Sequence, residues 1–90
     1  MIEAYLLVIS GDVQGVSYRY FAKNEAKKLG LMGWAKNEHD GSVTIFIQGE
    51  PEKVQMFVEL SKEGSPMATV KDVSIKKVNP EESINNFEVK

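Results

Sequence analysis

Residues 11–21 read GDVQGVSYRYF. Gly11 and Gly15 free the backbone to turn and to aim successive N–H groups inward, as an anion-binding nest does. A helix starting near Ser17 would add its own free N–H groups and the positive end of its dipole. A nucleotide-binding loop would close with lysine and then serine or threonine, but this one offers Arg19. Arg19 is the only arginine among eleven basic residues, and a guanidinium grips two oxygens of a phosphate or carboxylate where an ammonium meets only one. A cation in the first turn of a helix is disfavoured by about 0.3–1 kcal/mol, and only Asp12 is near in sequence to relieve it. That placement suits a bound anion. The glycine spacing is weak by itself, and an ion pair of Arg19 with Asp12 or with another surface group stays open.

The surrounding pattern supplies elements to hold such a loop. Residues 3–10 are apolar on both alternations, which predicts a central strand. Over 17–29 a stripe of Tyr18, Phe21, Ala22, Ala26 and Leu29 predicts a helix, with Ser17 as N-cap and Gly30 as its stop. Strands are predicted at 31–38 and 42–49, joined by a turn at His39-Asp40-Gly41. A second helix is predicted from Pro51 to Glu63, with Glu50 and Glu52 matching its dipole and Val54, Phe57 and Val58 as its apolar stripe. A turn at SPMA leads to a strand over 69–78, with Val73 and Ile75 on one face, and residues 87–90 predict an edge strand. His39 reads as an exposed loop residue, Trp34 as core, and Asn37 as a turn residue opening the hairpin.

The order β-α-β-β-α-β points to an α+β, ferredoxin-like split β-α-β sandwich. It would have one antiparallel sheet of four to five strands with two helices on one face. In that topology strands 1 and 2 run the same way with strand 3 between them. The loop after strand 1 and Asn37 after strand 2 then share one edge, two strand spacings or about 10 Å apart.

Composition narrows the chemistry. Ninety residues, 42% of them hydrophobic, make one domain spanning residues 1–90 with one modest core. Without cysteine there is no thiolate nucleophile or cysteine-ligated metal, and a single histidine excludes a multi-histidine site. A net charge of −2 and a pI near 5.4 argue against a nucleic-acid partner. The opening MIEAYLLVIS has no basic start and too short an apolar run for a signal peptide or membrane span, so the expected location is cytoplasmic. The residues alone give a small α+β domain with an oxyanion site.

Two separated stretches carry a closer likeness. GDVQGVSYRYF resembles the signature loop of the acylphosphatases, and GWAKNEHDGSV (33–43) resembles their second motif. EGSPMATVKDV (63–73) also looks like that family's turn into the fourth strand, and the likeness covers nearly the whole chain. The resemblance implies hydrolysis of a carboxyl-phosphate anhydride. It puts Arg19 on the phosphoryl oxygens, Asn37 on the attacking water, and Val13, Gln14, Gly15 and Val16 in the phosphate cradle. It implies no cofactor, no metal, and a monomer acting on a small acyl phosphate. Departures are mild: Tyr18 stands where phenylalanine is usual, and Ala35-Lys36 where valine and often arginine occur. The chemistry agrees, because an acyl phosphate expels a carboxylate with a pKa near 4 and needs no strong general acid. Two other readings are a small-anion-binding module without turnover and an RNA-binding module. The second is weakened by the acidic balance and by VTIFIQG offering only Phe46 as a stacking residue.

Overall fold

A strand that is apolar on both faces belongs inside a sheet, and β1 (Glu3–Asp12) lies there, with a neighbour on each side. The computed structural model describes all residues 1–90. After β1 come α1 (Tyr18–Lys28), β2 (Met32–Asn37), β3 (Val43–Gly49), α2 (Pro51–Glu63), β4 (Thr69–Val78) and β5 (Phe87–Val89). The sheet order is β4-β1-β3-β2-β5. β3 is antiparallel to both β1 and β2, so β1 and β2 run parallel with β3 between them, as the topology predicts. β5 departs from an all-antiparallel sheet: it pairs parallel with β2, through Gly33, Trp34 and Ala35 against Phe87, Glu88 and Val89. The connection from β4 crosses the end of the sheet before β5 begins, and that crossing reverses the direction of β5. The sheet is therefore mixed.

The helices cover the face that carries Leu7 and Ile9 of β1, Ala35 of β2, and Val43, Ile45 and Ile47 of β3. Val54, Phe57 and Val58 of α2 and Tyr18, Ala22 and Ala26 of α1 pack onto it as their spacing predicts, and Phe87 of β5 closes one end. Each large apolar side chain buried this way contributes about 1.5–3 kcal/mol. Trp34 is a correction to the sequence reading. It sits outside this core on the uncovered face, because β2 turns Gly33 and Ala35 inward and Trp34 outward. There it stacks on Phe46 with ring centroids 6.2 Å apart, and the Lys90 ammonium lies 5.0 Å from its ring. Ile75 stands opposite Leu7, and Val73 opposite Ile9, on the helix-covered face, as the alternation predicts. Ile75 is still 45% exposed, since β4 is an edge strand with only β1 beside it.

Local chemistry sets the helix ends. Gly30, at φ 71°, lets α1 close with Leu31 N–H donating to the Ala26 carbonyl at 2.8 Å and Gly30 N–H to the Lys27 carbonyl at 3.1 Å. Tyr18, fully buried at the start of α1, donates its hydroxyl to the Ser61 carbonyl at 2.7 Å. That carbonyl lies in the last turn of α2, where no helical N–H remains to meet it. The departure from phenylalanine therefore supplies a cap between the helices. Tyr18→Phe would leave this buried carbonyl unpaired. It is expected to lower stability by about 1–3 kcal/mol, read as a lower urea midpoint at unchanged slope. An unchanged midpoint would show that water replaces the hydroxyl at no cost.

Candidate active site

Between β1 and α1 the sign of φ alternates. Gly15 sits at φ 72° and Ser17 at φ 63°, while Gln14 and Val16 keep negative φ. Alternation of that kind turns successive N–H groups into one concavity. At Gly15 a Cβ would meet nothing within 4 Å, so the backbone conformation and not crowding calls for glycine. Gly11 is different: a Cβ there would stand 2.1 Å from the Thr69 carbonyl oxygen, where β4 runs close. Ser17 is the only residue other than glycine with positive φ, a conformation costing about 1–3 kcal/mol. It occupies the N-cap position but makes no side-chain cap, contrary to the sequence reading. Side-chain capping needs extended backbone at that residue, and Ser17 is left-handed.

No carbonyl or side chain of the protein accepts from the N–H groups of Gln14 through Tyr20. The first bond at this end of α1 is Phe21 N–H to the Ser17 carbonyl, at 3.0 Å. The segment shapes a cavity of about 210 Å³ lined by Val13, Gly15, Ser17, Tyr18, Arg19 and Tyr20. Burial pushes the Tyr18 phenol above its ordinary range, which keeps it protonated.

Arg19 lines this cavity without an aspartate or glutamate partner. The ion pairs of the molecule join Lys28 to Glu25, Lys62 to Glu59 and Lys77 to Glu3, and none involves Arg19 or Asp12. The first turn of α1 holds no acidic residue, whereas that of α2 holds Glu52. Arg19 is held instead by the main chain: its Nη1 donates to the Lys90 main-chain oxygen at 2.5 Å. Lys90 is itself fixed by donating its N–H to the Ala35 carbonyl of β2 at 2.8 Å. The alternative of an ion pair with Asp12 is thus not realised. Lys90 carries no sequence signal for this contact, which uses only its backbone oxygen.

Asn37 ends β2 at the same edge. It lies in the cross-strand row Ile9–Val43–Asn37, two strand spacings from the strand that feeds the loop. Its side-chain Oδ1 is buried and accepts no hydrogen bond. Such an atom costs about 1–3 kcal/mol unless something outside the protein meets it.

Gln14 ties the two parts together. Its Nε2 donates to the Glu38 carbonyl at 2.7 Å and to the Ser42 carbonyl at 2.9 Å, on either side of the hairpin turn that follows Asn37. Asp40 braces that turn by accepting from the Ser42 N–H at 2.9 Å and the Ser42 hydroxyl at 2.6 Å, and these bonds lower the Asp40 pKa. Of the residues singled out by sequence, Val13, Gly15 and Arg19 line the cavity. Val13 does so with its side chain buried in the core. Gln14 and Val16 flank the cavity, whereas Asn37 is not among its lining residues and ends β2 at the same sheet edge. The bridging by the Gln14 side chain is not visible in the sequence, where it reads as one more cradle residue. Gln14→Met keeps the length and removes both donors. It is expected to speed amide hydrogen exchange in residues 38–42 by roughly tenfold, about the worth of one to two hydrogen bonds. Unchanged exchange there would mean that the hairpin holds itself.

An acylphosphatase family model matches residues 5–89. An acylphosphatase of Bacillus subtilis (strain 168) is 41% identical over 85 residues, spanning 94% of this chain and 93% of that protein. One of Archaeoglobus fulgidus is 42% identical over 83 residues, 92% of each chain. The crystal structure of acylphosphatase from Bacillus subtilis matches the fold with a TM-score of 0.93 at 40% identity, over 100% of this chain and 99% of that one. The matches run through both the glycine loop and the hairpin that bears Asn37, so the chain belongs to the acylphosphatase family and is an enzyme that hydrolyses acyl phosphates.

Proposed function

We propose that catalysis rests on three groups: Arg19, the N–H groups of the loop over Val13, Gln14, Gly15 and Val16, and the Asn37 side chain. The observation that carries this reading is the buried, unpartnered Asn37 Oδ1 at the same sheet edge as the loop whose arginine pairs with no aspartate or glutamate. The asparagine oxygen lacks a donor, and the guanidinium has donors beyond the one that meets Lys90. A water and a phosphoryl group would complete both.

The dianionic phosphoryl group sits in the nest, with the Arg19 guanidinium and the free N–H groups meeting its equatorial oxygens. Asn37 Oδ1 accepts from a water and aims its oxygen at phosphorus. The water oxygen forms the new P–O bond as the bond from phosphorus to the acyl oxygen breaks, and the bonding pair leaves with the carboxylate. Both water protons end on phosphate oxygens, so acyl phosphate and water become carboxylate and dihydrogen phosphate. A loose transition state of this kind asks for positioning and for stabilisation of equatorial charge, with little demand for proton transfer. Donors already aimed at that charge need no reorganisation. On this reading the protein acts as a cytoplasmic monomer on a small molecule without a nucleic-acid partner, in keeping with its net charge of −2.

Purified protein is expected to hydrolyse benzoyl phosphate at full rate with a chelator present, and a requirement for added metal would refute the mechanism. Arg19→Lys is expected to lower kcat/KM by about 100-fold or more, the usual cost of losing a transition-state donor. Near-normal turnover would reduce Arg19 to a surface charge. Asn37→Ala is expected to lower kcat by about 100-fold while leaving inhibition by inorganic phosphate within about threefold. Lost phosphate inhibition would make Asn37 a phosphate ligand.

A further inference from the structure

Beside the phosphoryl cavity lies a second depression of about 340 Å³, and the two share Ser17 and Tyr20 in their walls. One wall is the outer face of α1, where Ser17, Tyr20, Phe21 and Asn24 recur at helical spacing. The opposite wall is the turn between α2 and β4, through Pro66 and Met67. No lining residue is charged. Tyr20 is 57% exposed and Met67 76% exposed, two of the large apolar side chains that the fold leaves uncovered. A charge-free groove opening directly from a positively charged cavity fits a ligand with a phosphoryl head and an apolar body.

Strand order says which part of the substrate lies there. The loop leaves β1, with β3 and β2 on one side of it and β4 on the other. Asn37 and the hairpin held by Gln14 are on the β2 side. The turn bearing Pro66 and Met67 leads into β4 on the other side, and Ser65 reaches across to the Val16 carbonyl at 3.5 Å. In phosphoryl transfer the attacking and leaving oxygens are roughly in line. A water on the Asn37 side therefore directs the leaving acyl oxygen toward the β4 side, where the groove begins.

We infer that the groove between α1 and the α2–β4 turn is the subsite for the acyl group, and that Tyr20 and Met67 select acyl phosphates with an uncharged, apolar acyl part. The inference rests on the phosphoryl and water positions given under Proposed function. A pocket of this kind discriminates by removing apolar surface from water, so its effect appears as a ratio between substrates.

The test measures kcat/KM for benzoyl phosphate and acetyl phosphate in the wild type, Met67→Ser and Tyr20→Ser. Comparing the ratio between proteins cancels the different intrinsic reactivities of the two anhydrides. Each variant is expected to lower the benzoyl-to-acetyl ratio about fivefold. Met67→Ser, on an exposed turn, is expected to leave acetyl phosphate turnover and inhibition by inorganic phosphate within twofold. An unchanged ratio in both variants, or equal loss on both substrates, overturns the acyl subsite while leaving the acylphosphatase mechanism intact. Failure of the wild type to hydrolyse either substrate overturns both.

Discussion

Helix α1 joins β1 to β2 within one sheet, and a connection of that kind returns the second strand parallel to the first. β3, the hairpin partner of β2, fills the space between them. The carboxyl ends of β1 and β2 are thereby held at one edge, and the polar contacts of the site build on that arrangement. Gln14 spans from the loop to the hairpin because the two are about 10 Å apart and no more. Lys90 reaches Arg19 because β5 runs parallel to β2, which brings its carboxyl end to the same edge. An antiparallel β5 would deliver its other end there.

On this frame the protein concentrates unpaired donors. Gly15 and Ser17 give the loop its alternating backbone, the first N–H groups of α1 stay free, and Arg19 adds a full positive charge to the positive end of the helix. Holding Arg19 by the Lys90 main-chain oxygen orients the guanidinium without tying it to an aspartate or glutamate side chain. The left-handed Ser17 and the orphaned Asn37 oxygen are further local costs at the same edge. They are offset elsewhere, by the apolar core under both helices and by the caps at Gly30 and Tyr18.

Much of this was legible in the chain because it depends on neighbours in sequence. The apolar stripes of both helices, Pro51 at the start of α2, Gly30 and Gly64 at the helix ends, and the Asp40-Gly41 turn each act within a few residues. Periodicity was ambiguous where both faces of a strand are apolar. The residue type of Trp34 suits burial, yet β2 must place Ala35 inward, and the period of two then turns Trp34 out. Serine favours the cap at position 17, but the loop needs left-handed backbone there to aim its N–H groups.

Residue type and spacing along the chain fix the order of elements, the glycine loop with its single arginine, and an asparagine at the end of the second strand. Those features are local, set by residue type, spacing and backbone freedom. Packing across the sheet settles that Arg19 pairs with no aspartate or glutamate, that Gln14 faces the hairpin, that Lys90 arrives beside Arg19, and that a charge-free groove adjoins the cavity. Each of these joins residues brought together by strand order and not by spacing along the chain. The direction of β5 and the path of the α2–β4 turn follow from how a whole sheet closes over its core, which no single stretch of residues encodes.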